Sequence, residues 1–187
     1  MTAKRCSWCE RDALYRAYHD EEWGRPIHDD RRLFELLVLE SFQAGLSWYT
    51  ILSKREGFRA AFDGFDYRLI AAYDDAKVEA LMQDTRIVRN RRKILATIQN
   101  AARFMEIQQE FGSFSEFIWA YVGGSPCVNH PRKLEDVPAS TPTSDAVATE
   151  LKRRGFKFIG STVAYAFMQA VGMVNDHVED CAFKYPD

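Results

Sequence analysis

Four metal-binding side chains, two near each end of the chain, constrain this fold more than any other feature of the sequence. Cys6 and His19 lie near the N-terminus, and His177 and Cys181 lie near the C-terminus. Thiolate and imidazole are the ligands that zinc prefers, and two of each complete a tetrahedral structural site. The sequence therefore predicts a zinc ion that joins the two ends of the chain, and it directs the search for chemistry to the residues between them.

The spacing His177-x-x-x-Cys181 favours a helix, because residues four apart lie on the same helical face. A site with four protein ligands leaves no open position for water, so the predicted metal is structural rather than catalytic. The residue pattern also leaves other ligands open. These alternatives are Cys9, which forms a Cys-x-x-Cys pair with Cys6, and His28, Cys127 and His130.

The length and composition of the chain predict a folded protein rather than a disordered one. Its 187 residues are 47% apolar, enough to form the core of one domain or of two small lobes. The sequence has neither the apolar N-terminal segment of a signal peptide nor an apolar run long enough to cross a bilayer. We therefore expect a cytoplasmic protein whose four cysteines are thiols or metal ligands rather than disulfides.

Positive charge is concentrated in two segments, although the net charge of the chain is −2. Residues 86–93 contain five arginines and lysines and no acid, and residues 152–157 contain four more. A local basic surface can bind nucleic acid even on an acidic protein, because phosphate contacts depend on the local field. The alternative is that both segments are the solvated ends of ordinary helices.

Helical periodicity extends over almost the whole sequence. A core helix is predicted to begin near Arg31, after an aspartate cap, and to end at Gly45; the next follows a cap at Ser47 and continues to Phe62. No segment alternates convincingly with the period of two that marks a strand. The proline-containing residues 123–143 are expected to form a surface loop or a hinge. Further helices are predicted over 66–73, 75–84, 90–110, 114–122, 144–154 and 161–173.

Two glycines, Gly155 and Gly160, separate the last two predicted helices. Glycine is favoured where a tight turn requires a positive φ or leaves no room for a side chain. The backbone amides that begin the helix after Gly160 would point outward, where phosphate is a natural partner. With basic side chains on both sides, the pattern resembles the helix-hairpin-helix element that binds the DNA backbone without reading its sequence. The alternative is an ordinary turn between two helices.

Glu40 is a carboxylate within residues 36–42, in the most apolar predicted helix. Carboxylates are almost never fully buried unless they are paired. Glu40 is therefore either exposed on a narrow polar stripe or part of a cavity that receives a polar or cationic ligand. In a cavity, its carboxylate could accept hydrogen bonds from the edge of a base.

An aromatic set lies near the N-terminus, where three of the four tryptophans fall within the first 48 residues. Core packing is their usual role, but several alternate with charged residues in a loop-like segment, residues 15–23. Such a group could form a stacking box for a flat ligand, and most strongly for a cationic one. The residues concerned are Trp8, Tyr15, Tyr18, Trp23, Trp48 and Tyr49.

Common catalytic motifs are missing from the sequence. It contains no His-Glu-x-x-His pair, no Gly-x-Ser-x-Gly elbow and no phosphate-binding P-loop. A metallohydrolase, a serine hydrolase and a nucleotide hydrolase therefore have little support. Two rival readings stay open, namely a DNA-binding module without catalysis and a small-molecule enzyme or binding protein that uses the aromatic box.

Four segments of the chain are similar to a known family. Residues 14–24, 39–48, 153–160 and 167–177 together resemble the constitutive 3-methyladenine DNA glycosylases I of the helix-hairpin-helix superfamily. The resemblance extends over essentially the full length, residues 1–187. It implies an all-α fold with two lobes, in which a zinc-binding terminal lobe (about 1–30 plus 174–187) joins a helical body that carries the hairpin (about 151–172).

The resemblance also implies a function in DNA base-excision repair. The expected enzyme is a monofunctional glycosylase that flips 3-methyladenine out of double-stranded alkylated DNA and excises it by hydrolysis. It is expected to be a monomer, to bind one structural Zn²⁺ per chain and to release free 3-methyladenine. The family's zinc ligands fall on Cys6, His19, His177 and Cys181, the set already identified.

Further roles follow from the resemblance, residue by residue. The flipped base is expected to stack on Trp48, with Glu40 and Tyr18 at its polar edge. Asp176 is expected to be structural, unlike the catalytic Asp of many helix-hairpin-helix glycosylases, and no hairpin lysine is an obvious imine-forming nucleophile. The remaining expectations are a pocket lined by Trp8, Tyr15 and Trp23, an intercalating turn with Gln43, Gly45 and Leu46, and backbone contacts by Gly155, Lys157, Gly160, Ser161 and Thr162.

Overall fold

A computed structural model of the chain describes residues 3–185, and these residues form a mostly helical protein with one very small sheet. The all-α class expected from the sequence is therefore confirmed. Within this part of the chain, no helix is both long and apolar enough to cross a membrane. The helices are α1 (Ala13–Glu21), α2 (Asp30–Gln43), α3 (Trp48–Ser53), α4 (Arg55–Ala61), α5 (Tyr67–Ala71), α6 (Asp75–Gln83), α7 (Arg91–Phe111), α8 (Phe114–Trp119), α9 (Pro142–Arg153) and α10 (Ser161–Ala170).

Side-chain caps explain where most of these helices begin. Eight of the ten start after a Ser, Thr, Asp or Asn whose side chain accepts a hydrogen bond from an amide of the first turn. Asp29 caps α2 and Asn90 caps the long helix α7. α10 follows Gly160 and has no side-chain cap, so its first amides stay available to an external partner.

The core is built around α2. Ten consecutive residues of this helix, from Leu33 to Phe42, are buried, because α7, α8 and α10 pack against it from different sides. The prediction of a core helix here is therefore confirmed. One consequence is that Glu35 and Glu40, which a half-exposed helix would place in water, are buried as well.

Three local predictions were wrong. Residues 13–21 form a helix capped by Asp12, not the loop-like segment expected around Tyr15. The single helix expected over residues 48–62 is interrupted at Lys54, between α3 and α4. His177 and Cys181 do not lie on a helix, since the chain after residue 175 runs through irregular turns; their spacing of four therefore has no helical origin.

The expected loop over residues 123–143 contains a short strand. β1 (Cys127–Val128) pairs in parallel with β2 (Val174–Asn175), with Cys127 opposite Val174. A strand of two residues is too short to show an alternating pattern, so the sequence could not reveal it. This pairing fixes the loop beside the C-terminal segment and next to α10.

The two ends of the described chain meet, as the sequence predicts. The backbone amide of Ala182 donates to the carbonyl of Lys4 at 2.9 Å. Cys6, Val178 and Cys181 form a second apolar cluster, separate from the main core. The further division into a terminal lobe and a helical body stays a prediction.

A close backbone approach joins the N-terminal part of the chain to the end of α10. Gly172 has φ +73°, and a Cβ there would lie 2.3 Å from the backbone carbon of Arg25. The amide of Gly24 donates to the carbonyl of Gln169 at 3.0 Å, and the amide of Ile27 donates to that of Val171 at 3.0 Å. Only glycine fits this position, which brings α1 and α10 to opposite sides of one cavity.

Candidate active site

A cavity of about 420 Å³ lies where α1, α2, α3 and α10 meet. Its volume falls in the range of small-ligand sites, and six of its fifteen lining residues are aromatic. The six residues predicted for base recognition and for the pocket are brought together here. The lining residues are Trp8, Tyr15, Tyr18, Trp23, Glu40, Gln43, Trp48, Leu134, Val137, Pro138, Ala139, Thr162, Tyr165, Ala166 and Gln169.

Glu40 supplies the only carboxylate among these lining residues. Its side chain is 4% exposed, and its Oε2 has no hydrogen-bond partner within residues 3–185. Burial in this apolar wall raises the pKa of Glu40 to about 8. Of the two positions that the sequence leaves open for Glu40, the structure therefore shows the one in a cavity and excludes the one on an exposed polar stripe. A cation or a hydrogen-bond donor in the cavity would stabilise the ionised carboxylate.

Tyr18 lies on α1 and faces the same cavity. Burial, with a smaller contribution from the nearby Glu40, raises the pKa of Tyr18 well above its ordinary value. The phenol therefore stays protonated at neutral pH and can donate or accept a hydrogen bond. Arg55 fixes the helix that carries it, since Nη1 donates to Glu22 at 2.6 Å and Nε donates to Glu35 on α2 at 2.6 Å.

Trp8 is the centre of the aromatic wall. Its ring centroid lies 5.0 Å from that of Tyr15, 5.1 Å from Trp23 and 6.4 Å from Tyr18. These edge-on contacts hold the rings rigidly and leave faces open to the cavity. Trp48 lies 5.4 Å from Tyr18, and its Nε1 is a buried donor without a protein partner in the described chain.

The turn between α2 and α3, residues 43–46, lies at the edge of this cavity. Gly45 has φ +82°, and Leu46 keeps 42% of its surface exposed. Lys93 fixes the turn from below, because its Nζ donates to the carbonyl oxygens of Phe42 and Ala44, each at 2.7 Å. An exposed leucine on a fixed, glycine-containing turn is suited to insertion between stacked bases.

The basic segments present fewer free charges than the sequence suggests. Lys93 is 6% exposed and satisfies backbone carbonyls rather than facing solvent. Arg86 pairs with Asp84, and Arg91 pairs with Glu79. In the second segment, Arg153 and Arg154 pair with Glu150 and Arg154 also pairs with Glu110. Within these two segments, and apart from the buried Lys93, the cations that form no ion pair are Arg89, Arg92, Lys152 and Lys157.

The hairpin, residues 155–160, is held against α7. Asn100 accepts from the amide of Lys157 at 2.8 Å and donates to its carbonyl at 3.0 Å. Gly155 has φ +94°, whereas Gly160 has φ −84° and would have no neighbour within 4 Å of an added Cβ. Gly155 is thus required by the protein's own backbone, whereas nothing inside the protein requires Gly160. This difference favours an external backbone or phosphate as the partner of Gly160.

Two predicted hairpin contacts lie in other surroundings. Thr162 lines the aromatic cavity as well as beginning α10. Ser161 is engaged inside the protein, where its hydroxyl donates to Asp145 and lies 3.1 Å from the hydroxyl of Ser144. The amides of both residues remain free of side-chain caps, so a phosphate could still be bound by the backbone.

The four predicted zinc ligands are also brought together. Donor atoms of Cys6, His19 and Cys181 all lie within 4.8 Å of one another, and all three residues are buried. Nε2 of His177 is a buried polar atom without a partner in the described chain, and its ring lies 4.6 Å from that of His19. The second ring nitrogens contact Asp20 at 2.7 Å and Asn175 at 3.0 Å, which leaves both Nε2 atoms free to bind a metal; that of His19 lies 3.6 Å from the sulfur of Cys181.

The donor set fits a structural zinc ion. A hydrogen bond from Cys6 lowers the pKa of the Cys181 thiol, and burial lowers the pKa of His177 to about 4, so a thiolate and a neutral imidazole are available. The alternative ligands have other contacts. Cys9 bonds to the Cys6 carbonyl, Cys127 to Asn129, His28 to Ser115 and His130 to Glu179.

One wall of the cavity has no counterpart among the residues predicted from the sequence. Leu134 and residues 137–139 come from the expected surface loop, and α10 adds Tyr165, Ala166 and Gln169. No local pattern marks the loop residues, because long-range contacts such as the pairing of β1 with β2 hold the loop at the site. Gln169 is a polar residue in an apolar helix, and that signal could have been used as it was for Glu40.

Asp176 has a different environment from Glu40. It is 2% exposed and accepts hydrogen bonds from Asn129 at 2.7 Å, Tyr165 at 2.7 Å and Gln169 at 2.8 Å. These three donors engage both oxygens of the carboxylate. Its bonding favours the structural role expected from the sequence over a direct role in chemistry.

The chain is similar to known methyladenine glycosylases over most of its length. The family model for methyladenine glycosylase matches residues 8–185. The chain is 49% identical to DNA-3-methyladenine glycosylase 1 of Escherichia coli over 95% of both chains, and 44% identical to DNA-3-methyladenine glycosylase of Haemophilus influenzae over 96% of this chain and 97% of that one.

Solved structures of 3-methyladenine DNA glycosylase I have a backbone fold very similar to that of this chain. A structure of 3-methyladenine DNA glycosylase I from Staphylococcus aureus, described as the basis of 3-methyladenine recognition, matches with a TM-score of 0.94 at 37% identity over 98% of this chain and 97% of that chain. A crystal structure of 3-methyladenine DNA glycosylase I matches with a TM-score of 0.93 at 51% identity, covering 96% of this chain and 98% of the other.

The burial of Glu40 predicts a pH-dependent cost to stability. Its pKa rises from 4.5 to about 8 on folding, so the folded state binds the proton more tightly and loses stability as the pH rises through that interval. Glu40→Gln cannot ionise. Its stability relative to the wild type should therefore increase by about 3 kcal/mol between pH 5 and pH 8, measured by guanidinium unfolding. Glu135→Gln, at an exposed position, is the matched control. Parallel pH curves for the wild type and Glu40→Gln would contradict the burial cost.

Proposed function

The chain belongs to the methyladenine glycosylase family, and on that premise we propose that its aromatic cavity receives a 3-methyladenine flipped out of DNA. The protein is a DNA-3-methyladenine glycosylase, a hydrolase of base-excision repair. One observation carries the assignment of the site: a buried carboxylate, Glu40, has no protein partner in the described chain and lies in a cavity lined by tryptophan and tyrosine. A cationic purine supplies the charge and the donor that this carboxylate lacks.

The energies of binding are of the right size for extrusion. Flipping costs a few kcal/mol, and less for a damaged base that already pairs poorly. Stacking on an aromatic face contributes about 1–3 kcal/mol per base, and a desolvated cation over Trp48 adds up to about 2 kcal/mol. Aromatic contacts that hold Trp8, Tyr15 and Trp23 in place reduce the entropy lost when the base is bound.

Glu40 is proposed to act through charge and hydrogen bonding. In the free protein its pKa is about 8, so the neutral acid predominates at pH 7. A cationic base beside it favours the ionised form, and the resulting carboxylate accepts a hydrogen from the exocyclic amino group. A 6-oxo purine presents an acceptor at the same position and leaves this contact unmade. Tyr18, held as a phenol, is placed to contact the polar edge of the same base.

The hydrolysis itself requires little acid catalysis. Methylation at N3 places positive charge on the adenine, and the bond to the sugar breaks with its electron pair moving onto the base. A water molecule then adds to the sugar carbon and loses a proton to solvent. The enzyme contributes selection, desolvation and placement of the base, which matches a cavity that contains one carboxylate and no paired acid and base among its lining residues.

DNA is proposed to approach from the side on which the α2–α3 turn and the hairpin lie. Gln43 and Leu46, on the turn fixed by Lys93, would fill the space that the flipped nucleotide leaves. Amides at the start of α10, with Lys157 and the small Gly160, would bind backbone phosphates. Among the basic residues, Arg92 and Lys157 line one surface cavity beside the hairpin and carry no ion pair in the described chain.

Zinc is proposed to be structural. Cys6, His19, His177 and Cys181 would hold it, and its chemistry would be limited to cross-linking the two ends of the chain, because four protein ligands leave no position for water. Trp8 and Trp23, which line the base cavity, pack against the same terminal cluster. Loss of the metal would therefore loosen one wall of the active site.

Glu40→Gln should abolish most base release while preserving DNA binding. The amide cannot become a carboxylate, so it offers the cationic base no countercharge. We expect release of 3-methyladenine from methylated duplex DNA, measured by chromatography, to fall by about 100-fold, consistent with the loss of one charged contact. The affinity for undamaged duplex should change less than twofold, or about 0.4 kcal/mol. Base release at the wild-type rate would show that Glu40 has no role in excision.

Gly160→Ala separates DNA binding from folding. With φ −84° and no neighbour within 4 Å, the added methyl group fits the protein, and since glycine is a better N-cap than alanine, the thermal midpoint should fall only slightly. The methyl group would obstruct a close phosphate, and duplex affinity at low salt should fall by about tenfold. Gly155→Ala is the matched control. Alanine is strained at φ +94°, so this substitution should lower the thermal stability of the protein rather than act on a phosphate contact. Undiminished affinity in Gly160→Ala would exclude a phosphate at this position.

Cys181→Ser should remove metal and stability together. A structural zinc site contributes folding free energy, and three remaining ligands bind zinc weakly. We expect metal analysis of the purified wild type to give one zinc per chain and that of the variant to give far less, with a lower thermal midpoint. Cys127→Ser, at an exposed cysteine, should retain both. A Cys181→Ser protein with full zinc content and an unchanged midpoint would contradict the assignment.

A further inference from the structure

Gln169 has an amide whose orientation is fixed by the protein. Its Nε2 lies 2.8 Å from Oδ2 of Asp176, and the hydroxyl of Tyr165 donates to the same oxygen at 2.7 Å. The other carboxylate oxygen, Oδ1, accepts from Asn129 at 2.7 Å. Asp176 is thus held from three sides, and it presents a fixed acceptor to the side chain of Gln169.

The direction of the amide follows from the chemistry of its partner. A carboxylate has no hydrogen to donate, so the glutamine must turn its NH₂ group toward Asp176. Its carbonyl oxygen, Oε1, then points away from Asp176. Within residues 3–185 this oxygen accepts no hydrogen bond. It is not fully buried, so it is accessible from the cavity that Gln169 lines.

The cavity therefore contains two unpaired acceptors on two different helices. Glu40 lies on α2, and Gln169 lies in the last turn of α10. The exocyclic amino group of an adenine has two hydrogens, whereas a 6-oxo purine presents only an acceptor at that position. An amino group bound by both acceptors would satisfy them, whereas an oxopurine would leave them unpaired and be repelled.

We propose that Gln169 is a specificity-determining residue, which presents its carbonyl oxygen to the exocyclic amino group of the flipped base and so selects an aminopurine over an oxopurine. Asp176 is the positioning residue, because it prevents the amide from turning its NH₂ group toward the base. This inference rests on the proposed function of the cavity and extends it. It gives the buried Asp176 a role in recognition without a contact to the substrate.

Gln169→Met tests the proposal, because methionine has a similar length and no hydrogen-bonding amide. Release of 3-methyladenine and of 3-methylguanine is measured by chromatography from one methylated duplex sample. Isothermal titration with the two free bases provides a readout that does not depend on excision. The matched control is Gln109→Met, an exposed position on α7, and Gln169→Asn serves as a second variant if the methionine protein does not fold.

We expect the preference for 3-methyladenine over 3-methylguanine to fall by about tenfold in Gln169→Met, with the control unchanged. A merely structural role would lower both activities by the same factor and leave their ratio intact, and that result would overturn the proposal. A Gln169→Met protein that released and bound both bases as the wild type does would also overturn it. If the wild type released neither base, the proposed function itself would be wrong, whereas wild-type release with an intact ratio in both variants would exclude only the role of Gln169.

Discussion

The burial of α2 is the constraint on which the rest of this structure depends. α7, α8 and α10 enclose ten consecutive residues of α2, and this enclosure removes Glu40 from water without giving Oε2 a protein partner in the described chain. The resulting rise in the pKa of Glu40 is a cost that an ordinary core would avoid by using an apolar residue. The same packing makes the site selective, because a buried unpaired carboxylate favours a ligand that brings a positive charge and a donor.

The side chains that hold the cavity in shape are charged, whereas much of its wall is aromatic. Arg55 joins α1 to α2 and so fixes Tyr18 relative to Glu40, while Lys93 fixes the α2–α3 turn through two carbonyl oxygens. Asp176 orients Gln169 and Tyr165 on α10. Each support uses a charged side chain that forms hydrogen bonds inside the protein, in contrast to Glu40. The cavity is therefore a braced frame that leaves a few polar atoms free for a ligand, which is the arrangement expected of a preorganised binding site.

Several features could be predicted from residue patterns because they depend on local chemistry. The core helix around Glu40, the glycine hairpin and the meeting of Cys6 with Cys181 each have a signal in composition or spacing. The errors have physical causes as well. Residues 15–23 were interpreted as a loop because aromatic and charged residues alternate there, whereas residues 13–21 form a helix with one face in solvent. The spacing of His177 and Cys181 matched a helical face, although turns bring them together.

By itself, the sequence determined the helical class, the family and the types of side chain available for binding a base, because these follow from periodicity and from motifs. Tertiary structure alone decided which charges are free and which side chains share a cavity. Lys93 belongs to the basic segment but is buried under a turn, and the loop containing Leu134 becomes a wall only through the pairing of β1 with β2. These outcomes depend on contacts between residues far apart in the chain, which no local pattern encodes.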